Sequence, residues 1–266
     1  MSHSSMFYRE SAPSPEISHL VLSFWEFTAR GENSAPIVHE VFPDGCISII
    51  YKRNKSFDID GLFIHGLSLE TFKTEVFAGD TFWGMRLIPS ACSKILRFDP
   101  ALIQSGELTE SKDFTHLTKG LLKKLVACEN FGKAVEIYKA QVKSSEFKPE
   151  AADEKIAQAV KIVEQNRGEV KISELAEAVN LSVRQLERRF RKSSGLSPKH
   201  YARARRIRAT AISLITEAEM NWANRAAEMG FTDQAHLTHE FSSLTGRSPN
   251  SFAEKVKRIE HGDFLK

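Results

Sequence analysis

The pattern of hydrophobic and polar positions changes once along the chain, near residue 90. Before that point, short runs rich in β-branched and aromatic residues alternate with turn signals such as Pro43-Asp44-Gly45 and Ala78-Gly79-Asp80. The first part of the chain is therefore predicted to form a sheet or a barrel. The predicted strands cover residues 20–28, 37–42, 46–52, 62–67, 73–77 and 81–88.

After residue 90 the apolar positions take a helical spacing, which predicts trailing helices over residues 117–127 and 131–142. A leucine-rich stripe at residues 121–126 marks one face of the first helix. We expect this stripe to pack on the sheet, with packing on a second copy of the chain as the alternative.

Residues 146–153 are polar, contain a proline and lack periodicity, which is typical of an interdomain linker. The chain is therefore predicted to be an α+β protein of two domains, with a sensor or dimerisation domain over residues 1–145 and an all-α domain over 154–266. The helices predicted in the second domain cover residues 154–165, 174–179, 183–192 and 198–214.

Within the second domain one pattern of residues occurs twice. Each copy predicts two short helices joined by a tight turn, the shape of a helix-turn-helix that lays its second helix in the DNA major groove. Ser182 and Gln185 form a capping box that defines where the second helix of the first copy begins. The matched pairs are Ala176 with Ala226, Leu181 with Phe231, Ser182 with Thr232, Leu186 with Leu237, Phe190 with Phe241, Gly195 with Gly246, Ser197 with Ser248, and Pro198 with Pro249.

Charge distinguishes the two copies. The formal net charge is only +3, yet residues 183–208 contain ten Arg or Lys residues and a single acid, Glu187. A block of one sign and this density is typical of a phosphate-binding surface, whereas solvated helix faces normally mix both signs. Between Ala209 and Glu240 the only basic residue is Arg225. We therefore expect the second copy to bind DNA more weakly than the first.

Helical geometry assigns roles to the side chains of the first copy. If Leu186 and Phe190 point inward, Arg184, Arg188 and Arg191 point outward, because successive residues are 100° apart. Arginine can bind guanine, glutamine can pair with adenine, and glutamate can accept from cytosine. The predicted base readers are Arg184, Gln185, Glu187 and Arg188, and the predicted phosphate contacts are Ser182, Arg189, Arg191, Lys192, Lys199, Arg203 and Arg206.

These residues resemble the double motif of the AraC/XylS family of bacterial transcription regulators. The resemblance rests on residues 181–201, Gly230-Phe231-Thr232-Asp233-Gln234-Ala235-His236 and Gly246-Arg247-Ser248-Pro249, and it covers roughly residues 155–255. It implies a seven-helix domain in which two helix-turn-helix units, braced by the helix over 198–214, enter successive major grooves. Carried over by position, the base readers of the second unit are Gln234, Ala235, His236 and His239.

Three positions depart from the family pattern. His239 stands where arginine is usual, and Ser242 stands where lysine or arginine is usual. Arg225 replaces an apolar residue, and we expect its stem to lie along the core while its guanidinium stays in water, since burying the charge costs more.

The first domain has a fainter resemblance, at residues 42–50 and 83–90, to an uncharacterised N-terminal domain of some AraC-type regulators with a cupin-like β character. This implies a sensor or dimerisation module. The predicted effector-binding residues are Trp25, His39, Asp44, Trp83 and Arg86. No metal or cofactor is expected, because His19, His39 and His65 lack the H-x-H spacing of a cupin metal site.

Composition limits the remaining function classes. No run of eighteen apolar residues is present and the N-terminus lacks the pattern of a secretory signal, so a cytoplasmic protein is expected. Cys46, Cys92 and Cys128 are far apart and odd in number, which predicts buried free thiols.

We therefore expect a sequence-specific transcription regulator, not an enzyme, controlled by a small effector or by oligomerisation. Its expected partner is double-stranded DNA, and RNA polymerase and a second copy of the chain are further candidates. One alternative is a ligand-independent regulator whose N-terminal domain binds only proteins. A remoter one is a DNA alkylation-repair protein with a cysteine nucleophile, since some repair proteins carry this type of DNA-binding unit.

Overall fold

A computed structural model describes residues 5–31, 35–68, 70–103, 108–110, 115–144, 152–257 and 259–261. Its N-terminal part contains a seven-stranded sheet of order β8-β5-β4-β7-β2-β1-β9 and a two-stranded sheet, β3-β6. The six predicted strands correspond to β2 through β7. The strands are β1 (Ser5–Ser11), β2 (Val21–Arg30), β3 (Ile37–Val41), β4 (Ser48–Asn54), β5 (Ile59–His65), β6 (Phe72–Val76), β7 (Thr81–Leu87), β8 (Leu108–Glu110) and β9 (Ile259–His261).

Helices make up most of the described chain after residue 90, so the predicted fold class, a mixed β part with trailing helices followed by an all-α part, is confirmed. None of the described helices is long and apolar enough to cross a membrane. The helices are α1 (Cys92–Leu96), α2 (Thr115–Thr118), α3 (Leu121–Val126), α4 (Phe131–Lys143), α5 (Glu154–Gln165), α6 (Ile172–Ala178), α7 (Val183–Ser194), α8 (Pro198–Thr216), α9 (Trp222–Glu228), α10 (Gln234–Thr245) and α11 (Pro249–Val256).

The large sheet is covered on both faces. On one face Phe24, Ile49 and Met85 join a hydrophobic cluster with α3 and α4, in which Leu121 and Leu125 are fully buried. Leu121 and Leu125 of the leucine-rich stripe thus pack on the sheet, as expected, whereas Val126 is exposed. The other face turns toward β3 and β6, where the rings of Phe27 and His39 lie 4.3 Å apart, centroid to centroid.

A glycine shapes this second face. Gly84 on β7 lies directly opposite Trp25 on β2, and a Cβ atom at Gly84 would collide with the indole ring. Without that Cβ the ring can lie flat on the sheet, which is how a glycine in a strand admits a large neighbour. The indole of Trp25 therefore forms part of the floor between the two sheets.

Three strands were not predicted, and β9 among them joins the two ends of the chain. Met6 pairs in parallel with Ile259, and Arg30 Nη1 lies 3.0 Å from a carboxylate oxygen of Glu260. Three-residue strands such as β8 and β9 are too short to show a two-residue periodicity, which explains why the pattern missed them.

The two parts of the chain share hydrophobic cores through the segment 42–46. Phe42 packs its ring on Phe252 of α11 at 4.7 Å, while Cys46 belongs to the cluster that contains Leu186 and Phe190 of α7. Between them, Gly45 adopts φ +72° and lies against Tyr201 of α8. The Pro-Asp-Gly turn recognised in the sequence is therefore an interdomain contact.

The linker predicted over 146–153 lies mostly outside the described residues, which resume at residue 152. Asp153 caps helix α5, because its side chain accepts from the backbone N–H groups of Lys155 and Ile156. The domain boundaries themselves stay a prediction.

The position of Arg225 differs from the one expected from the sequence. Its guanidinium was expected in water, but the residue is only 1 % exposed. Nη1 donates to Ser213 Oγ at 2.6 Å, and Nη2 donates to the carbonyl oxygens of Glu217 and Met220 at 2.7 and 3.2 Å. These carbonyls lie just beyond α8, at the negative end of its dipole, where a cation is stabilised. Burial nevertheless lowers the pKa of Arg225.

The two glycines that end α7 and α10 provide a matched test of packing. Gly195 and Gly246 have φ of +82° and +69°, so alanine at either position costs about 1–2 kcal/mol in backbone strain. A Cβ at Gly195 would also lie 2.6 Å from Leu67 Cδ1 and 3.0 Å from the backbone nitrogen of Ala101, whereas nothing lies within 4 Å at Gly246. We expect Gly195→Ala to lower the urea-measured free energy of unfolding by clearly more than Gly246→Ala. Equal losses would contradict the close contact between α7 and the N-terminal part.

Candidate nucleic-acid interface and interdomain cavity

Helix α7 has an apolar inner face and a basic outer face. Leu186 and Phe190 are 0 % exposed, while Arg184, Glu187 and Arg188 are exposed. The side chains thus point in the directions that the helical periodicity predicts. The three exposed residues share a face with the exposed Arg191, so an arginine-rich surface is open to a groove.

The start of α7 is held by the predicted capping box. The side chain of Ser182 accepts from the backbone N–H of Gln185, and Gln185 Oε1 accepts from the backbone N–H of Ser182 at 2.9 Å. The Gln185 amide must give up this bond to turn its oxygen to a base edge. Gln185 is exposed, but it is the most constrained of the four predicted base readers of this helix.

The predicted phosphate contacts divide into open and occupied groups. Arg189 is held by two bonds of 2.6 Å to Asp153, and Arg203 Nε donates to Glu240 at 2.7 Å. Arg206 donates to the carbonyls of Met229 and Gly230 and lies over the Phe231 ring at 4.2 Å, so it braces the turn of the second unit. The exposed candidates are Ser182, whose hydroxyl is engaged in the capping box, and Arg191, Lys192 and Lys199.

Helix α10, the second recognition helix, resembles α7 in its position within its unit but differs from it in charge. Between Gln234 and Thr245 it contains one acid, Glu240, and neither lysine nor arginine, whereas α7 contains five basic residues and one acid. His236 is held locally, since its Nδ1 accepts from the backbone N–H of Thr232 at 3.3 Å and its ring meets Phe231 edge-on. The predicted base readers Gln234, Ala235, His236 and His239 are all exposed.

A cavity of about 540 Å³, which we call the interdomain cavity, lies between the second face of the large sheet, the β3-β6 sheet, and helices α8 and α11. Of the five predicted effector-binding residues, Trp25, His39, Asp44 and Arg86 line it. Trp83 does not, because it points to the opposite face of the sheet, where its Nε1 donates to Glu26 at 3.0 Å. The wall contributed by α8 and α11, which the sequence did not predict, consists of Ile207, Arg208, Ala211, Ile212, Ile215, Phe252 and Val256.

Glu10 on β1 joins the two parts of the chain at the edge of the cavity. The residue is 5 % exposed, and its carboxylate accepts from Arg86 Nη1 at 2.8 Å and from Arg208 Nη2 of α8 at 2.5 and 2.6 Å. Asp44 completes the cluster by accepting from Arg86 Nε at 2.5 Å. Burial alone would raise the pKa of Glu10, but the guanidinium groups of Arg86 and Arg208 outweigh it and lower the pKa to about 2.

Glu40 on β3 makes a second ionic contact between the two parts. It accepts from Arg247 at 2.5 Å, in the turn after α10, and lies 3.0 Å from Lys255 Nζ of α11. The hydrogen bond from Arg247 is the largest cause of a pKa of about 2 for this carboxyl group. The small sheet is thereby tied to the second helix-turn-helix unit.

Comparison with known families identifies the helical part. A family model described as a helix-turn-helix domain matches residues 175–255, the stretch that contains both repeated units. Residues 175–255 form an AraC-type helix-turn-helix domain. The protein thus carries the DNA-binding domain of a transcription regulator. A second model, a domain of unknown function (DUF6597), matches residues 9–108 of the N-terminal part.

Solved structures of AraC-type regulators resemble the chain at low identity. The C-terminal domain of AraT from Geobacillus stearothermophilus is 21% identical with a TM-score of 0.37, over 39% of this chain and 86% of that one. ToxT from Vibrio cholerae is 11% identical with a TM-score of 0.46, over 96% of this chain and 99% of that one. At these values the likeness extends to no functional residue. No relative was found among curated proteins.

The cysteines, and the histidines of the cavity, are mostly buried from solvent. Cys46, Cys92 and Cys128 are buried free thiols, as predicted. Burial and, to a smaller extent, the charge of Lys255 lower the pKa of His39 to about 4, so this imidazole is neutral near pH 7. His19 is exposed and is not among the residues that line the cavity with His39 and His65. The described residues contain no group of three or more metal-ligating side chains.

The AraC-type domain yields a matched pair of substitutions. Arg188→Ala removes an exposed arginine from the outer face of α7, and we expect it to weaken binding to the preferred DNA sequence by about 1–3 kcal/mol and to relax one base position. Lys199→Ala removes an exposed charge at the start of α8 and should weaken binding evenly on all sequences. Gel-shift titrations on specific and random duplexes measure both. Equal losses for Arg188→Ala on the two duplexes would refute its role as a base reader.

Proposed function

We propose that the protein is a sequence-specific transcription regulator whose DNA-binding domain is controlled by a small molecule in the interdomain cavity. The observation that carries this proposal is the double role of α8. Its first half joins the two helix-turn-helix units, and its second half, with Ile207, Arg208 and Ala211, walls the cavity. A molecule in the cavity therefore touches the same helix that sets the spacing of the two units.

Affinity for DNA is assigned mainly to the first unit. Its recognition helix has five basic residues and a single acid, and electrostatic contact with phosphates provides most of the non-specific affinity of such proteins. The second unit, with exposed His236 and His239 but no lysine or arginine on α10, refines the site. Base-reading and phosphate roles follow the assignment made from the sequence, and Arg189, Arg203 and Arg206 must first exchange their protein partners for phosphate.

Control requires that the ligand distinguish two arrangements of the domains. A ligand shifts an equilibrium only by the difference between its affinities for the two states. In the arrangement described, α8 is held by Glu10 and the turn after α10 is held by Glu40. A second arrangement that breaks these contacts also opens the cavity wall, so a ligand that needs this wall favours the arrangement described.

The repair-enzyme alternative finds no support at the cysteines. Cys46 is 2 % exposed, and burial, with the nearby Asp44 carboxylate, raises the pKa of its thiol well above the usual range. The reactive species in alkyl transfer is the thiolate, which this environment disfavours. Control through oligomerisation or through a bound protein remains an outcome of the experiments below.

The DNA-binding part of the proposal is tested by footprinting the full-length protein on the DNA upstream of its own gene. We expect protection over two successive major grooves on one face, with affinity that falls steeply as salt increases. Binding without sequence preference would contradict the proposal. Protection of a single groove would show that the second unit does not contact bases.

Glu10→Gln tests the contact between α8 and the sheet. The substitution leaves Arg86 and Arg208 without their shared carboxylate, and removing one partner of a buried ion pair costs about 3–5 kcal/mol. We expect a loss of this size in the free energy of unfolding near pH 7, with faster hydrogen exchange in α8. Glu129→Gln, which removes an exposed partner of Lys133, is the control and should have almost no effect.

The stability difference between wild type and Glu10→Gln is expected to depend on pH. A carboxyl group whose pKa is lowered on folding contributes stability above its unfolded pKa, near 4.5, and loses it as the pH falls towards 2. The difference between wild type and Glu10→Gln should therefore be constant above about pH 5.5 and shrink below pH 4.5. A difference that stays constant down to pH 3 would contradict the ionic role of Glu10.

A further inference from the structure

The interdomain cavity has the size and lining of a small-molecule site. Its volume, about 540 Å³, lies within the range of about 300–1,000 Å³ that is usual for such sites. Aromatic rings of Trp25, Phe27 and Phe82 form its floor, and Ile207 and Ile212 face them from α8. Most of the surface that a ligand would contact is apolar.

The charged groups at the inner end of the cavity already neutralise one another. Arg86 is bound to Glu10 and Asp44, and Arg208 is bound to Glu10. Tyr8 is also engaged there, since its hydroxyl donates to Glu10 and accepts from Arg86 Nη2. An anionic ligand would have to displace a carboxylate from these arginines, and a cationic ligand would have to displace a guanidinium.

The remaining charges of the lining are paired or exposed. Glu40 is shared by Arg247 and Lys255, and Lys52 lies 3.3 Å from Asp80. The last two charges, Lys73 and Glu75, lie on the exposed side of β6 in water. Burying an ion without a counter-ion is costly, so the interior disfavours ligands of either sign.

Uncharged polar groups are nevertheless free to orient a ligand. Ser48 lines the cavity and is 3 % exposed, and Trp25 Nε1 is a buried donor without a hydrogen-bond partner in the described part of the chain. The rings of His39 and His65 also line the cavity and pack at a tilt against Phe27 and Phe72. Burial lowers the pKa of both histidines, so each ring offers one N–H donor and one acceptor nitrogen.

We infer that the interdomain cavity takes an uncharged, largely apolar molecule that carries a hydroxyl or carbonyl group. Its apolar body lies on Trp25 and against Ile207 and Ile212, and its polar group bonds to Ser48 or to a neutral histidine. This inference rests on the proposed function for its regulatory meaning. The binding itself is a separate property of the cavity and is measured without DNA.

Three probes of equal size separate the charge classes: biphenylmethanol, biphenylcarboxylate and biphenylmethylammonium. Each is titrated into the full-length protein at neutral pH by calorimetry. We expect the alcohol to bind at least tenfold more tightly than either ion. Binding of the carboxylate or the ammonium as tight as that of the alcohol would overturn the inference, and so would the absence of saturable binding by the alcohol.

Variants of the wall locate the binding. Ala211→Phe projects a ring from α8 into the cavity and should abolish binding of the alcohol, whereas Ala218→Phe, at an exposed position just past α8, should leave it unchanged. If Ala211→Phe does not fold, Ile215→Trp fills the same wall from the next turn. Ser48→Ala should weaken binding of the alcohol several-fold. Undiminished binding by the filled variants would place the probe elsewhere and overturn the inference.

A gel-shift titration with DNA, in the presence and absence of each probe, distinguishes this inference from the proposed function. If the alcohol binds in the cavity and leaves DNA affinity unchanged, the inference stands and ligand control fails. If an ion binds best and changes DNA affinity, ligand control stands and the inference fails.

Discussion

The burial of α8 against the N-terminal strands is the constraint on which the rest of the structure depends. Gly45 packs against Tyr201 in the first half of the helix, Glu10 holds Arg208 in its middle, and Ile215 closes the cavity near its end. The same helix contributes to the cores of both helix-turn-helix units. The spacing of the two recognition helices and the shape of the cavity are therefore set by one element.

Ionic contacts between the sheets and the DNA-binding domain add specificity where apolar packing alone would allow sliding. Buried ion pairs contribute little net stability, because desolvation of both groups offsets their attraction, but a lost partner is expensive. Glu10 and Glu40 each meet two cations, and each therefore defines one register between the sheets and the DNA-binding domain. An arrangement that separates them must leave buried charges or expose them to water, which favours two distinct states over a continuum.

The helix-turn-helix units could be predicted because local signals define them. Contacts between residues distant in sequence could not be predicted. Ser182, Gln185 and Gly195 act within one or two turns of their own helix, so the sequence pattern identified α7 correctly. The sequence pattern does not show which groups the arginines of α8 bind: Arg205 binds Glu164 and Arg208 binds Glu10, because partners distant in sequence decide where a basic side chain points. The assignment of Trp83 to the cavity failed for a related reason. Both faces of the large sheet are covered, so apolar residues occur on each and alternation does not say which face holds the cavity.

The central claim is that ligand and DNA act on the same helix, and thermodynamic linkage tests it directly. The affinity of biphenylmethanol is measured for the free full-length protein and for the same protein saturated with its DNA site. If α8 adjusts when the two units engage successive grooves, the two affinities must differ, and the DNA affinity must change by the same factor when the probe is present. We expect a difference of about fivefold or more, the usual lower bound for coupled sites. Equal affinities would show that the cavity wall and the DNA-binding surface move independently and would contradict the account.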